Sequence, residues 1–134
     1  MASPVTPFGI TSLSDTVDDV AVDGSAIQLL LSTGRASMAH GTLAVGQTSH
    51  AVRHRTVDEL WLVVAGTAEI WCHGGEDDSE SLVTATAGDA LTIPLGSSFQ
   101  YRTVGDTPFE FVMCTTPPWP GDQEAILVPG PWSA

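Results

Sequence analysis

Between His50 and Gly66 the chain reads HAVRHRTVDELWLVVAG, with two imidazoles and two carboxylates, His50, His54, Asp58 and Glu59, inside ten residues that run into an apolar stretch. Side chains of these types do one of two kinds of chemistry. They ligate a divalent transition metal, or they exchange protons with a substrate. Burial in apolar walls lowers the pKa of an imidazole and raises that of a carboxyl, so both approach neutrality. A His and a Glu tuned in this way can move a proton between carbon and oxygen, as enolisation, cyclisation, dehydration and epimerisation require. The bland alternative is a buried His–Glu contact that only ties two strands together, since structural networks also contain perturbed groups.

Strand alternation places His50, Val52 and His54 on one face and Ala51, Arg53 and Arg55 on the other. The same rule sets Asp58 opposite to Glu59, at the surface beside Arg53 or Arg55, where an ion pair contributes little. Four residues of extended chain separate the two histidines by about 13 Å. Ligands to one metal each come within roughly 2 Å of it, so His50 joins His54 on a metal only if a bulge shortens the path. His54 and Glu59 alone fall short of the three protein ligands usual for a catalytic zinc. An irregular third ligand such as His40, in SMAHGTL, is the remaining route to a metal centre. The other reading of His40 is a polar residue at a strand edge or interface, and His73 is expected at the surface.

Other catalytic signatures are missing. The chain has no GxSxG elbow, no GxxxxGK[ST] phosphate loop, no GxGxxG and no HExxH. Ser97 and Ser98 follow Gly96 in a turn, but no base is positioned for either as a nucleophile.

The elements that must carry these residues read as strands. AIQLLLS, SMAHGTLAV, DELWLVVAG, TAEIWCH, SLVTAT, DALTIP, FQYRTV and FEFVMCTT are short β-branched and apolar runs divided by glycines, at the spacing of an all-β sandwich or barrel. Helix signals are almost absent. HGGEDDSE reads as a solvated hairpin turn. TTPPWPGDQEAILVPGPW cannot continue a central strand; residues 117–134 are expected to wrap an edge, or to pack Trp119 and Trp132 on the barrel or on a partner. Residues 1–23 are polar, acidic and weakly patterned, an arm ahead of a barrel over 24–116. The 134 residues suit one domain with a real core.

The formal charge is -12, with four basic side chains, all arginine. Such a chain repels a phosphate backbone, which excludes nucleic acid as an expected partner. No apolar run is long enough to cross a bilayer, and MASPVTPFGITSLSD lacks the basic start and apolar centre of a secretory signal. A cytoplasmic protein is expected. The absence of lysine beside many Ala, Gly, Val and Thr residues fits a GC-rich bacterial genome. Cys72 and Cys114, without CxxC spacing, read as two buried thiols.

Two glycine-bounded blocks resemble the cupin superfamily. In the first, Gly46 opens, His54 falls on the second histidine of a His-X-His pair, Glu59 follows, and Gly66 closes. In the second, GDALTIPLG carries Gly88, Pro94 and Gly96 in register. SMAHGTLAVG, HRTVDELW, TIPLG and PPWPGD are similar to a group of small bacterial single-domain cupins. The resemblance implies a double-stranded β-helix, a jelly-roll barrel, whose usual metal shell is three histidines and a glutamate. This chain departs from it: the first histidine position is Val52, the histidine of the second block is Phe99, and the closing asparagine position is Thr103. Half of the ligand set is replaced.

The resemblance points the side chains at 54 and 59 into the barrel. It places Phe99 inward, and Tyr101, two residues on, shares that face as wall or as a hydrogen-bond donor to a substrate oxygen. Val52, Phe99 and either Trp61 or Trp71 then form apolar wall, with His40 and His50 as further candidates to touch substrate. The leading expectation is a small-molecule enzyme of metal-independent acid/base chemistry, an isomerase, cyclase or lyase, acting on an apolar oxygenated substrate with His54, Glu59 and Tyr101. One alternative is a dioxygenase or lyase holding a divalent transition metal through His54 and Glu59. The other is a non-catalytic carrier or sensor of a small ligand. Family resemblance adds a homodimer.

Overall fold

The computed structural model describes residue 5 and residues 7–74 and 78–134. Residues 75–77 of the expected acidic turn, and 1–4 and 6 of the arm, lie outside the described residues.

The expected strand runs fold as strands almost within their expected limits: β2 (Ala26–Ser32), β3 (Ser37–Leu43), β5 (Asp58–Ala65), β6 (Thr67–His73), β7 (Glu80–Thr86), β8 (Ala90–Ile93), β9 (Ser98–Val104) and β10 (Phe109–Thr116). Three short strands join them: β1 (Asp19–Val20), β4 (Val52–His54) and β11 (Ala125–Leu127). The order β1-β2-β3-β10-β5-β8 makes one sheet and β11-β4-β9-β6-β7 the other. Every strand pairing is antiparallel. Among the described residues no helix is long and apolar enough to cross a membrane.

The core lies between the sheets. On β5, Glu59, Trp61 and Val63 are buried, while Leu60, Leu62 and Val64 alternate to the outer face and stay about half exposed. The inner row of β9, Phe99 and Tyr101, meets Phe109 and Phe111 of β10. Trp61 stacks on Phe111 with ring centroids 4.1 Å apart and meets Tyr101 edge-on at 5.0 Å, arrangements that add to plain area burial. Trp61 is therefore the inward tryptophan. Trp71 lies on the opposite face and donates its indole N–H to Glu80.

Two contacts explain why the chain turns where it does. Gly66 joins β5 to β6 with φ +76°, and a Cβ there would stand 2.2 Å from the Pro108 carbonyl oxygen, so the glycine closing the first block is required by space as well as by φ. At the other end of β5, Glu124 is buried, and its carboxylate accepts the Thr56 hydroxyl and the Thr56 and Val57 N–H groups. Burial alone would raise its pKa, but these donors outweigh it and hold the carboxyl below the usual range.

The C-terminal segment adds β11 to the β4 edge and crosses the outer face of β9. There the Gln100 amide donates to Ser49 O and Trp132 O and accepts the Trp132 N–H. Trp132 also lies under the Arg102 guanidinium, 4.3 Å from ring centroid to carbon. At the N-terminal end, Asp19–Val20 pairs with β2, so the chain has joined the sheet before Asp23. Cys72 and Cys114 are free, half-buried thiols.

Glu124 holds the loop that connects the two residues of greatest chemical interest. Its replacement by alanine leaves the Thr56 N–H and the buried Val57 N–H without this acceptor, and the expected loss is about 3 kcal/mol, from charge-assisted hydrogen bonds and orphaned donors. A chemical denaturation midpoint measured for Glu124→Ala against the parent chain checks this. A change within error would show that the loop is held by other contacts.

Candidate active site

His54 ends β4 in the five-stranded sheet and Glu59 is the second residue of β5 in the six-stranded one. The loop 55–57 crosses from sheet to sheet, so residues five apart in sequence face each other across the barrel. His54 Nδ1 stands 3.5 Å from Glu59 Oε2. This is within electrostatic contact but off hydrogen-bonding geometry, and Nδ1 has no hydrogen-bond partner although His54 is only 6% exposed. The other Glu59 oxygen accepts the Trp61 indole N–H. Phe99 and Trp119 meet the imidazole edge-on at centroid distances of 5.2 and 5.1 Å.

The surroundings set the protonation. Burial pushes the Glu59 carboxyl up to about 8; the Trp61 hydrogen bond opposes this and the charge of Asp23 reinforces it. Burial lowers the His54 pKa, against the raising influence of Glu124 and Asp23. Near neutral pH the site therefore holds a carboxylic acid beside an uncharged imidazole. Both line a cavity of about 80 Å³ whose apolar wall includes Val52, Trp61, Phe99, Phe111, Met113 and Trp119.

Val52, His54, Glu59, Trp61 and Phe99, all read from the sequence as site residues, meet on this cavity. Three others do not. Tyr101 is buried behind the wall, where its hydroxyl donates to Asp23 Oδ2 at 3.0 Å. Burial raises its pKa well above that of a free phenol, helped by the Asp23 charge. It supports Asp23 and does not reach into the cavity. His50 is exposed on the opposite side, on a groove with Gln100 and Trp132. β4 begins only at Val52, so alternation cannot be extended back to His50. His40 occupies the outer face of β3, because Ser37, Ala39 and Gly41 take the inner one, and its Nε2 lies 3.2 Å from Glu110 of β10. Asp58 is exposed as expected, but its Oδ1 accepts the Leu95 N–H.

Among the cavity residues that sequence reasoning does not find are Asp23 and Trp119, beside Phe111, Met113, Asp19 and Asp122. Asp23 Oδ1 accepts the Ser25 N–H and hydroxyl at 2.9 and 2.7 Å. The Asp-Gly-Ser turn was visible in the sequence, but its docking against the barrel mouth was not. Trp119, expected only to pack, lies on the cavity, and its backbone N–H donates to Ser37 Oγ at 2.9 Å.

The donor set does not fit the metal of the usual four-ligand shell. Val52 and Phe99 are direct cross-strand partners of β4 and β9, so both replaced positions bring carbon where donor atoms would be needed. His40 and His50 point elsewhere, and among the described residues no three His, Cys, Asp or Glu side chains are grouped to hold an ion.

The sequence pattern of the cupin domain matches residues 39–115. No curated protein matches the chain. Among solved structures it is similar to BH2720 from Bacillus halodurans, at 17% identity over 76% of this chain and 74% of that one, with a TM-score of 0.62. KdgF from Halomonas sp. gives 16% identity, 76% and 87% coverage and a TM-score of 0.63. The capsular polysaccharide assembling protein CapF from Staphylococcus aureus gives 21% identity and a TM-score of 0.69, with 84% of this chain matching only 33% of CapF. At these identities the likeness carries the fold alone. With its glycine-bounded blocks in register and two antiparallel sheets closed over one core, the chain belongs to the cupin family, as a jelly-roll barrel whose metal-binding motif is degenerate.

Proposed function

We propose that the barrel is the active site of a small-molecule enzyme of non-redox proton-transfer chemistry, an isomerase, cyclase or lyase. The observation that supports this is the contact of an uncharged His54 with a protonated Glu59 on the wall of an apolar cavity. In the simplest step, enolisation of a carbonyl compound, the imidazole takes the proton from the carbon next to the carbonyl as Glu59 gives its own to the carbonyl oxygen. The C–H electron pair becomes the C=C bond of the enol. The imidazolium and carboxylate then stand 3.5 Å apart as an ion pair, and returning the protons at different atoms completes an isomerisation. The apolar wall excludes water from both transfers.

The roles fix the pH dependence. His54 must be neutral and Glu59 protonated, so the rate constant rises with pH through the lowered His54 pKa, below 6.5, and falls through about 8. The measurement is deuterium uptake at the α carbons of cyclopentanone in D2O, followed by NMR across the pH range. Glu59→Gln is expected to slow it by about a hundred-fold or more and to abolish the alkaline limb; His54→Gln should abolish the acid limb. Uptake no faster than in buffer, or unaffected by either substitution, would overturn the assignment.

Stability carries a second signature of the same carboxyl. Between pH 4.5 and about 8 the folded chain keeps a proton on Glu59 that the unfolded chain has released. Stability therefore falls as pH rises through that interval, by up to about 1.4 kcal/mol per pH unit, and levels off above it. Glu59→Gln keeps an acceptor for Trp61 and is expected to flatten this slope and to exceed the parent in stability above pH 8. Denaturation curves at several pH values check it; parallel slopes for the two proteins would mean that Glu59 is ionised throughout.

A further inference from the structure

Among the described residues, the charged side chains that line the cavity are all of one sign. Asp19, Asp23 and Asp122 line it beside the uncharged Glu59 carboxyl, and no arginine does; the chain has only four basic side chains besides its histidines, and none is lysine. Arg35, Arg53 and Arg55 are exposed, and Arg102 binds Glu69 at 3.1 Å and covers Trp132 on the outer face of β9. An anionic ligand entering this barrel would find no arginine or lysine side chain on its wall and would lose its hydration beside carboxylates, which is strongly unfavourable. An organic ammonium meets the opposite conditions. It gains the field of the aspartates and the rings of Trp61, Trp119, Phe99 and Phe111 on the same wall, which attract a desolvated cation through their quadrupoles.

An acidic lining is not by itself a binding site, and a second observation makes it one. His54 Nδ1 is buried on this cavity without a hydrogen-bond partner. A buried polar atom left in that state is costly, and a ligand N–H or O–H arriving in the cavity supplies the missing partner. Asp23 keeps accepting capacity as well. Its two oxygens take three protein donors, fewer than a carboxylate can accept, and the donors from Ser25 and Tyr101 fix its position.

We propose that the barrel selects a small organic cation, an amine or quaternary ammonium with an apolar body, and rejects carboxylates and phosphates. The proposal rests on the acid/base reading of the same cavity and narrows its substrate class to compounds whose positive group sits at the aspartates while the reacting carbon faces His54 and Glu59.

Three probes of nearly equal shape test it: tert-butylammonium, tert-butanol and pivalate, titrated into the full chain at pH 6.5 and followed by calorimetry and by NMR shifts of the indole N–H groups. The ammonium should saturate with at least ten-fold higher affinity than the alcohol, and pivalate should bind more weakly than either. Asp23→Asn should cut ammonium affinity about ten-fold while sparing the alcohol. Because that substitution also touches the Tyr101 hydroxyl, Asp122→Asn, on the same cavity, is the second variant and should weaken the ammonium alone. Pivalate binding as well as the ammonium, no ammonium binding, or ammonium affinity indifferent to both variants would overturn the proposal. Ketone deuterium exchange that persists in any of those cases would leave the acid/base reading standing, since that assay uses an uncharged probe.

Discussion

A carboxyl group 4% exposed, with one hydrogen bond from an indole and an imidazole at its other oxygen, is the constraint on which the site depends. Ionising it in that place means holding charge in an apolar enclosure with too few donors, and the protein's least costly answer is to keep the proton. Among the described residues Trp61 supplies its donor, and it is locked by its stack on Phe111 and its edge contact with Tyr101. The aromatic core is thus continuous with the acid: packing that stabilises the barrel also fixes the direction from which Glu59 is hydrogen-bonded, and leaves the face toward His54 open.

Holding two groups at working distance across two sheets requires the crossing to be rigid. The loop 55–57 has no pairing of its own as a strand, and a buried carboxylate from the C-terminal segment replaces it, accepting backbone N–H groups at Thr56 and Val57 while the Glu124 carbonyl accepts the Arg55 N–H at 3.0 Å. Just downstream, β11 pairs with β4, opposite His54 itself. The Pro-rich tail therefore belongs to the positioning apparatus of the site: Trp119 packs on the imidazole, Glu124 clamps the loop, and Gln100 ties down the last residues.

How much of this the sequence disclosed follows from the range of each signal. Period-two runs of seven or eight residues, such as Ser37–Leu43 and Phe109–Thr116, were legible because local alternation and turn glycines decide them. β1 and β11 carry no such signal: they have two and three residues and form only by pairing with distant chain, and β4, where strand alternation is expected, is only three residues long. Extending alternation through the start of β4 put His50 on the wrong side. The inward tryptophan was undecidable for a different reason: β5 is apolar on both faces, with Leu60, Leu62 and Val64 outside, so hydrophobicity gives no phase. His54 and Glu59 were found through motif register, whereas Asp23 lies in a weakly patterned arm, and nothing local announces that its side chain meets Tyr101, 78 residues on.

The replacement of the two ligand positions and the state of the acid are linked by the same atoms. Val52 and Phe99 face each other across β4 and β9, and Phe99 lies against His54. Histidines at those positions would bring polar edges and, with a cation between them, would hold Glu59 ionised, because a nearby positive charge favours a carboxylate. A methyl-bearing chain and a phenyl ring in their place remove donor atoms and deepen desolvation together, which drives the carboxyl toward its protonated form and the imidazole toward its neutral one. Substituting Phe99 back to histidine alone would therefore not rebuild the shell, because Val52 still leaves it one ligand short. It would add a polar group beside Glu59 and pull the carboxyl back toward its ordinary range. The degenerate motif is in this sense a chemical unit of its own: the apolar pair at 52 and 99 belongs to the wall whose burial raises the pKa of the glutamate at 59.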